Sequence, residues 1–268
     1  MDRKIMPWEG AFSPLRMLGN LYFVGSRPAS VHIVDTGDGL VMLDSGYRES
    51  LYEVIDNIYR VGLDPHRVKY LLLTHGHIDH MGAARAFREL TGARIVLGRA
   101  DREYANGTLP LSYASELEMS YTVPFEPDIL VDDGYALTLG NTTFRAMATP
   151  GHTPGAMSWF FEIREGGECY KAALHGGMGI NTLSREFLDK YQLPYTLRDD
   201  FLRSMKLLSK ESVDVFLGNH MQHNYTEEKA ERVKSGDRLA FVDPDEWKAY
   251  NLWCIENLNA MIEREGKS

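Results

Sequence analysis

Cysteine is almost missing from this chain. Cys169 and Cys254 are the only two in 268 residues, and they stand far apart without CxxC or zinc-ribbon spacing. A disulfide scaffold and a thiolate metal site are therefore set aside, and two reduced, mostly buried thiols are expected. Long apolar runs are missing as well. None approaches the roughly 20 residues that a membrane-spanning helix needs, so no membrane partner is expected. Near the N-terminus, Pro7, Trp8, Glu9 and Gly10 fall where a secretory leader requires an unbroken apolar stretch, which points to a cytoplasmic location. Basic side chains are in deficit. The 29 Lys and Arg against 38 Asp and Glu give a formal net charge of −9, which opposes nucleic-acid binding because that affinity rests on cations neutralising phosphates. A small-molecule substrate is favoured, and nothing in the sequence sets the oligomeric state.

What is present is an ordinary globular composition, 44% hydrophobic and 25% charged, in a chain long enough to bury a substantial core. Strands are expected at "LYFV" (21–24), "SVHIVDT" (30–36) and "LVMLD" (40–44), the last two joined across a Gly37-Asp38-Gly39 turn. Leu51, Val54, Ile55, Ile58 and Tyr59 recur at helical spacing, and Gly62 follows as a stop. "VKYLLLT" (68–74) is a short apolar run of the kind that forms a strand covered on both faces. A helix is expected over 80–90, a strand at "ARIVLG" (93–98) and a short helix over 99–105. Residues 106–127 have no regular pattern and form either a lid or substrate wall or a packed surface excursion. Strands resume at "YALTL" (135–139), "TTFRAMAT" (142–149), "AMSWFFEI" (156–163) and "ECYKAAL" (168–174). Helices over 184–190 and 196–208, a strand at "VDVFLG" (213–218), and helices over 227–234 and 245–263 complete the chain. Two similar halves without a Pro/Gly/Ser linker predict one α/β domain over 1–268, two sheets facing each other with helices outside.

The densest chemistry lies in "LLLTHGHIDHMGAA" (71–84), where an apolar run stops at His75, His77, Asp79 and His80. Imidazole and carboxylate donors suit zinc and its transition-series neighbours, iron and manganese among them. A turning segment sets His75 and His77 to one side and lets Asp79 and His80 reach a second centre. Four donors in six residues exceed what one tetrahedral ion can take while keeping a position for a reactive water, so two metals are expected. Asp79 as an N-cap of the following helix is the structural alternative, but three of only nine histidines within six residues argue against a purely structural cluster. "ATPGHTPGAMS" places His152 on a loop after a strand, and "VFLGNHMQHNY" places His220 just after another. Sites of α/β sheets gather at such strand ends, so both histidines are added to the cluster.

HxHxDH, a GHTPG histidine and a late strand-end histidine together resemble the metallo-β-lactamase superfamily, over nearly the whole chain from "GNLYFVG" and "GLVMLDSG" through "FLGNH". The resemblance implies a four-layer αββα sandwich, an α/β fold of two mixed β-sheets with helices on the outer faces. It also implies two Zn²⁺ per chain, the first held by His75, His77 and His152 and the second by Asp79, His80 and His220. In many members, such as the glyoxalase II and lactonase types, an aspartate at the end of the strand after GHTPG bridges the metals; here "CYKAALHGGMGIN" puts Gly177 in that place. A site without that carboxylate is similar to the third subclass of class B β-lactamases, in which a hydroxide alone links the two zincs.

The same resemblance implies a mechanism in which the bridging hydroxide attacks an amide or ester carbonyl, with Asp79 as the catalytic side chain that orients it. Asp44, the acid ending "VMLD", is expected to support the histidines from behind. His175, two positions before Gly177, is expected in a structural or supporting role. Met178 and Asn181 in "GGMGIN", and Gln222, His223 and Tyr225 after His220, are expected to line the cleft. The expected substrate carries an amide, lactam, lactone or ester group. A lactonase or thioesterase of the same superfamily is the alternative, since one fold hosts many chemistries. A non-catalytic metal-binding protein is the alternative from another class. Diiron electron-transfer relatives need a glutamate where His77 stands, and nuclease relatives need a basic surface.

Overall fold

A computed structural model describes residues 7–267; the N-terminal residues weighed above as a leader lie partly outside them. The first sheet runs in chain order from edge to edge: β1 (Leu15–Leu18), β2 (Leu21–Phe23), β3 (His32–Asp35), β4 (Leu40–Leu43), β5 (Val68–Leu72), β6 (Arg94–Gly98) and β7 (Ile129–Val131). Its first four strands pair antiparallel through short turns, and from β4 onward the pairing is parallel. Parallel neighbours need a crossover, supplied by α1 (Leu51–Arg60) between β4 and β5 and by α3 (Ala84–Thr91) between β5 and β6. The second sheet is an antiparallel meander of β8 (Ala136–Leu139), β9 (Thr142–Ala148), β10 (Met157–Glu165) and β11 (Glu168–Leu174). β12 (Val215–Leu217) adds to it parallel to β11, after α5 (Arg185–Lys190) and α6 (Thr196–Leu208). α7 (Thr226–Lys234) and α8 (Glu246–Gly266) follow.

Apolar side chains on both faces of the central strands explain why they read as continuous runs. Between the sheets, Phe23, Leu43 and Leu72 meet Phe144, Trp159 and Phe161. On the outer face of the first sheet, Leu71 and Ile95 pack against Ile58 of α1 and Phe87 of α3. On the outer face of the second, Phe160 and Phe216 pack against Phe201 of α6 and Trp247 of α8. The layers are therefore helix, sheet, sheet, helix, as expected. The sheets are also stitched at one end: Trp159 Nε1–H donates to the Leu73 carbonyl at 3.1 Å, and the Met157 amide donates to the Thr74 carbonyl at 2.8 Å. The chain leaves β5 at that seam and delivers the first histidine cluster there.

Three expectations need correction. β1 and β7 were not anticipated, because strands of three or four residues interrupted or flanked by charge, such as Arg16 in one and Asp128 and Asp132 beside the other, leave too little pattern to read. The helix expected over 80–90 is two pieces, α2 (Ile78–Met81) and α3. Cys169 is exposed on β11 rather than buried; only Cys254 is buried, and burial pushes its thiol up to about 12. Residues 106–127 contain no helix or strand. No described helix is long and apolar enough to cross a membrane.

A histidine on β3 sits in the core without compensation. His32 on β3 is fully buried, neither ring nitrogen has a hydrogen-bond partner, and burial pulls its pKa down to about 3. The folded chain thus keeps this ring neutral down to about pH 3, while the unfolded chain protonates it near pH 6.5. Stability from this site is present above pH 6.5 and lost below it, at up to about 1.4 kcal/mol per pH unit. Urea midpoints of His32→Leu and the parent, at matched metal content, should therefore diverge on going from pH 7.5 to pH 5, the parent losing more; parallel lines would contradict this assignment.

Candidate metal centre

Three loops converge at the stitched end of the sheets. The first follows β5. Its Gly76 cannot carry a side chain, because a Cβ there would lie 2.8 Å from Tyr104 Cβ, and this lets the loop turn tightly against α4 (Arg102–Ala105). His75 and His77 leave from this loop, while Asp79 and His80 project from the single turn of α2. The second loop, between β9 and β10, carries His152, and the third, after β12, carries His220.

His75 occupies the middle. Its ring centroid lies 4.7 Å from that of His77, 4.7 Å from that of His152 and 4.3 Å from that of His80. Two trios each offer ligand atoms lying within 4.8 Å of one another: His75, His77 and His152, and His75, Asp79 and His80. The second trio shares His75 with the first, whereas the expected second set was Asp79, His80 and His220. His220 joins through the carboxylate. Asp79 Oδ2 lies 3.1 Å from His80 Nε2 and 3.5 Å from His220 Nε2.

The outward-facing nitrogens decide what these rings can do. His152 Nδ1 faces the Gly179 carbonyl at 2.7 Å, and His220 Nδ1 faces the Pro28 carbonyl at 2.6 Å. His80 Nδ1 faces Asp44 Oδ2 at 2.9 Å. A carbonyl or carboxylate only accepts, so each Nδ1 must carry the hydrogen, which on His152 and His220 leaves Nε2 with a bare lone pair toward the other donors. His75 Nε2 is buried with no partner at all. An unpaired buried nitrogen ringed by imidazole and carboxylate donors is what a borderline-soft divalent cation would satisfy. The donor set therefore fits a metal.

Electrostatics agree. Burial holds His75 and His77 well below the usual histidine range, takes His152 down to about 4 and lowers His220. Those rings stay neutral, as ligands must. His80 goes the other way: burial works to lower it, but the Asp79 and Asp44 carboxylates outweigh burial and push it up to about 10. Burial works to raise Asp79, but the charge and hydrogen bond of His80 outweigh it and hold the carboxylate far below its usual range. Two buried carboxylates thus hold a proton on His80, the same charge deficit that a cation would fill.

Asp44 is fully buried and saturated. It accepts from the Thr74 amide at 2.7 Å and the Thr74 hydroxyl at 2.8 Å as well as from His80. A second supporting carboxylate was not anticipated. Asp101, fully buried between β6 and α4, accepts from the Gly76 amide at 2.8 Å and the Thr153 hydroxyl at 2.6 Å, and through its other oxygen from the Gly155 amide at 2.6 Å. It ties the HxHxDH loop to the GHTPG loop. Burial lifts its pKa to about 6 against these hydrogen bonds. Nothing in "GRADRE" marks it, since its partners lie 25 to 54 residues away.

The histidines open into a cleft of about 310 Å³. Met178, Asn181, Gln222 and His223 line it. Tyr225 does not: it is 60% exposed and lines a separate surface depression with Lys229 and Arg232, because the chain turns through a left-handed backbone (φ 53°) at that residue. His175 does not reach the cleft either. It is fully buried, its Nδ1 accepts from the Gly177 amide at 3.1 Å, and its Nε2 meets Asn251 of α8 at 3.3 Å. Four lining side chains were not among the expected cleft residues: Tyr47, Asn219, and Tyr113 and Leu117 from the irregular segment. That segment is thus a cleft wall, and the tyrosines spaced through it were the available signal.

Gly177 lies on the cleft floor, where a Cβ would come within 2.6 Å of His152 Cδ2 and 3.1 Å of its Cβ. No bridging carboxylate can be accommodated there without displacing His152. Gly177→Asp should therefore reduce metal content and affinity, as read by titration with a divalent ion; unchanged or tighter binding would show the floor to be more tolerant than this. Asp101→Ala orphans three buried donors and should cost about 3 kcal/mol or more in a urea melt, at roughly 1–3 kcal/mol for each donor, together with weaker metal binding. A loss below 1 kcal/mol would remove Asp101 from the account.

Comparison with known proteins agrees with this geometry. A subclass B3 metallo-beta-lactamase of Bradyrhizobium japonicum, BJP-1, superposes with a TM-score of 0.88 at 27% identity, covering 97% of each chain. The FEZ-1 metallo-beta-lactamase of Legionella gormanii gives 0.89 at 25% identity, covering 99% of this chain and 100% of that one. An N-acyl homoserine lactonase of Bacillus thuringiensis is 22% identical over 233 residues, 77% of this chain and 85% of that protein. Several other curated relatives match over shorter stretches, so that the chain spans about half their length: 56% of an uncharacterised Aquifex aeolicus protein and 58% of a probable metallo-hydrolase of Bacillus subtilis. The model of the Metallo-beta-lactamase superfamily matches residues 24–165, more than half of the sequence, and the chain belongs to that superfamily.

Proposed function

We propose that this protein is a dinuclear zinc-dependent hydrolase that cleaves an amide, lactam, lactone or ester bond of a small molecule. The observation that carries the reading is the pair of donor trios opening into one cleft, with His75 Nε2 buried and unpartnered among them. His75, His77 and His152 hold one ion in this reading, and Asp79, His80 and His220 hold the other. When bound, zinc supplies a Lewis acid and a source of nucleophilic hydroxide at neutral pH.

The chain's own residues do the rest. Asp44 and the carbonyls of Gly179 and Pro28 fix which nitrogen each imidazole presents. Asp79, set between His80 and His220, places negative charge on the side of the cleft where the nucleophile must be oriented. Tyr47, Leu117 and Met178 give the cleft a partly apolar wall against which a small acyl compound can pack. Similarity to BJP-1 and FEZ-1 over nearly the whole chain supports a β-lactamase-like reaction. Lactone opening is the second reading, supported by the Bacillus thuringiensis lactonase, whose match extends over 85% of that protein.

Metal analysis together with a panel of a chromogenic cephalosporin, acyl-homoserine lactones and glutathione thioesters tests both readings. Two zinc ions per chain and turnover of at least one class are expected. Fewer than one ion per chain under excess zinc would end the dinuclear reading. His152→Ala and His220→Ala should each lower both zinc retention and kcat/KM by at least about a hundredfold, more than the loss of an outer partner brings, while the fold survives. Full activity in either variant would overturn the ligand assignment.

A further inference from the structure

Tyr113 stands out in the irregular wall. Its φ of 62° places a bulky aromatic residue in the left-handed region that such side chains rarely adopt. A strained backbone persists only where its surroundings over-determine it, and such residues cluster at functional sites. Here the surroundings do so on both sides. The preceding residue, Ser112, accepts through its carbonyl from the amide of Ile78 at 2.8 Å, so it is tied to the turn that carries Asp79 and His80. On the other side, Glu116 is clamped to the end of α5 by Lys190 at 2.8 Å and by the Tyr191 hydroxyl.

The consequence is a fixed ring. It packs between His77, at a centroid distance of 5.3 Å, and Phe187, at 5.8 Å, and it lines the cleft shared with the histidines. The phenol lies near enough to Asp79 to feel its charge, and it shares the cleft with Asn181, whose side chain acts on it as a hydrogen-bond partner. With the Asn181 amide nitrogen donating to the phenol oxygen, the O–H would be free for another acceptor. An O–H donor held rigidly beside the reacting centre is the arrangement that stabilises negative charge building up on a carbonyl oxygen.

We propose that Tyr113 is a catalytic residue that donates its phenolic hydrogen bond to the carbonyl oxygen of the bound acyl compound as that oxygen gains negative charge, with Asn181 as the residue that positions it. This rests on the hydrolase reading. No covalent bond to the phenol forms or breaks: its hydrogen stays on Oη while the carbonyl π electrons move onto oxygen, and they return when the leaving group departs.

The test compares the zinc-loaded parent chain with Tyr113→Phe, which keeps the ring and its backbone strain and removes only the hydroxyl. On whichever panel substrate the parent hydrolyses, kcat should fall about a hundredfold, the scale of losing one oxyanion donor, with KM within about threefold and with zinc content and Tm unchanged. Calorimetry with phenylboronic acid, whose trigonal boron turns tetrahedral on taking up hydroxide and then mimics the developing oxyanion, should show binding weakened about tenfold in the variant. Asn181→Ala should retain the hydroxyl but lose its orientation, lowering kcat by about tenfold. Unchanged kcat and boronate affinity in Tyr113→Phe would overturn the proposal, as would a loss that merely follows a fall in zinc content. A parent chain that hydrolyses nothing on the panel would instead sink the hydrolase reading, and this proposal with it.

Discussion

The hydrogen bonds that join Leu73 and Thr74 to Trp159 and Met157 fasten the two sheets together at the edge where the chain leaves β5. The rest of the centre is arranged around that seam. His75 emerges one residue beyond it, and Asp44, at the end of neighbouring β4, binds the amide and hydroxyl of Thr74 itself. Asp101 then carries the same registration across to the GHTPG loop. Two buried carboxylates, one at each side of the seam, thus convert the meeting of two sheets into a fixed spacing among histidines from three loops.

That spacing would be costly in a purely apolar setting. A buried imidazole must stay neutral or be paired, and a buried carboxylate must find hydrogen bonds or positive charge. The centre meets both demands in part. Backbone carbonyls take the outer hydrogens of His152 and His220, while His80 gains a proton between Asp44 and Asp79. What is left over, the bare nitrogen of His75 and the charge of Asp79, is matched by a cation. The donor set is therefore suited to a cation.

Chemistry and specificity come from different parts of the chain. The donors lie on loops locked to strand ends, where a shift of a fraction of an ångström would be felt. The walls come from loops, residues 177–181 and 219–223 together with Tyr113 and Leu117 of the irregular segment, which is anchored at Ser112 and Glu116. Within one superfamily such a division lets the walls change while the donors stay, which fits similarity both to lactamases and to a lactonase. The cleft floor is less free, since Gly177 lies in contact distance of His152 for any added side chain.

Local pattern was enough for the architecture and for the donors themselves. Apolar runs such as "VKYLLLT" reflect a strand covered on two faces, and a histidine triplet at the end of such a run has few structural uses. Asp44 was legible as the acid closing a strand beside that run. Short edge strands were not legible, because β1 and β7 have too few residues to show a period. Nor was Asp101, whose meaning lies in partners far along the chain, while Tyr113 was legible only as one of the tyrosines of a possible wall, not in its backbone angle. Tyr225 and His223 stand two residues apart, yet only His223 faces the cleft, since a left-handed turn at Tyr225 sends its side chain outward. Sequence by itself determined which donors exist and which strands deliver them, because hydrophobic period and side-chain chemistry are local. Tertiary structure alone decided which nitrogen each histidine presents, what stands behind it and what walls the cleft, because those depend on hydrogen bonds and contacts made across the seam.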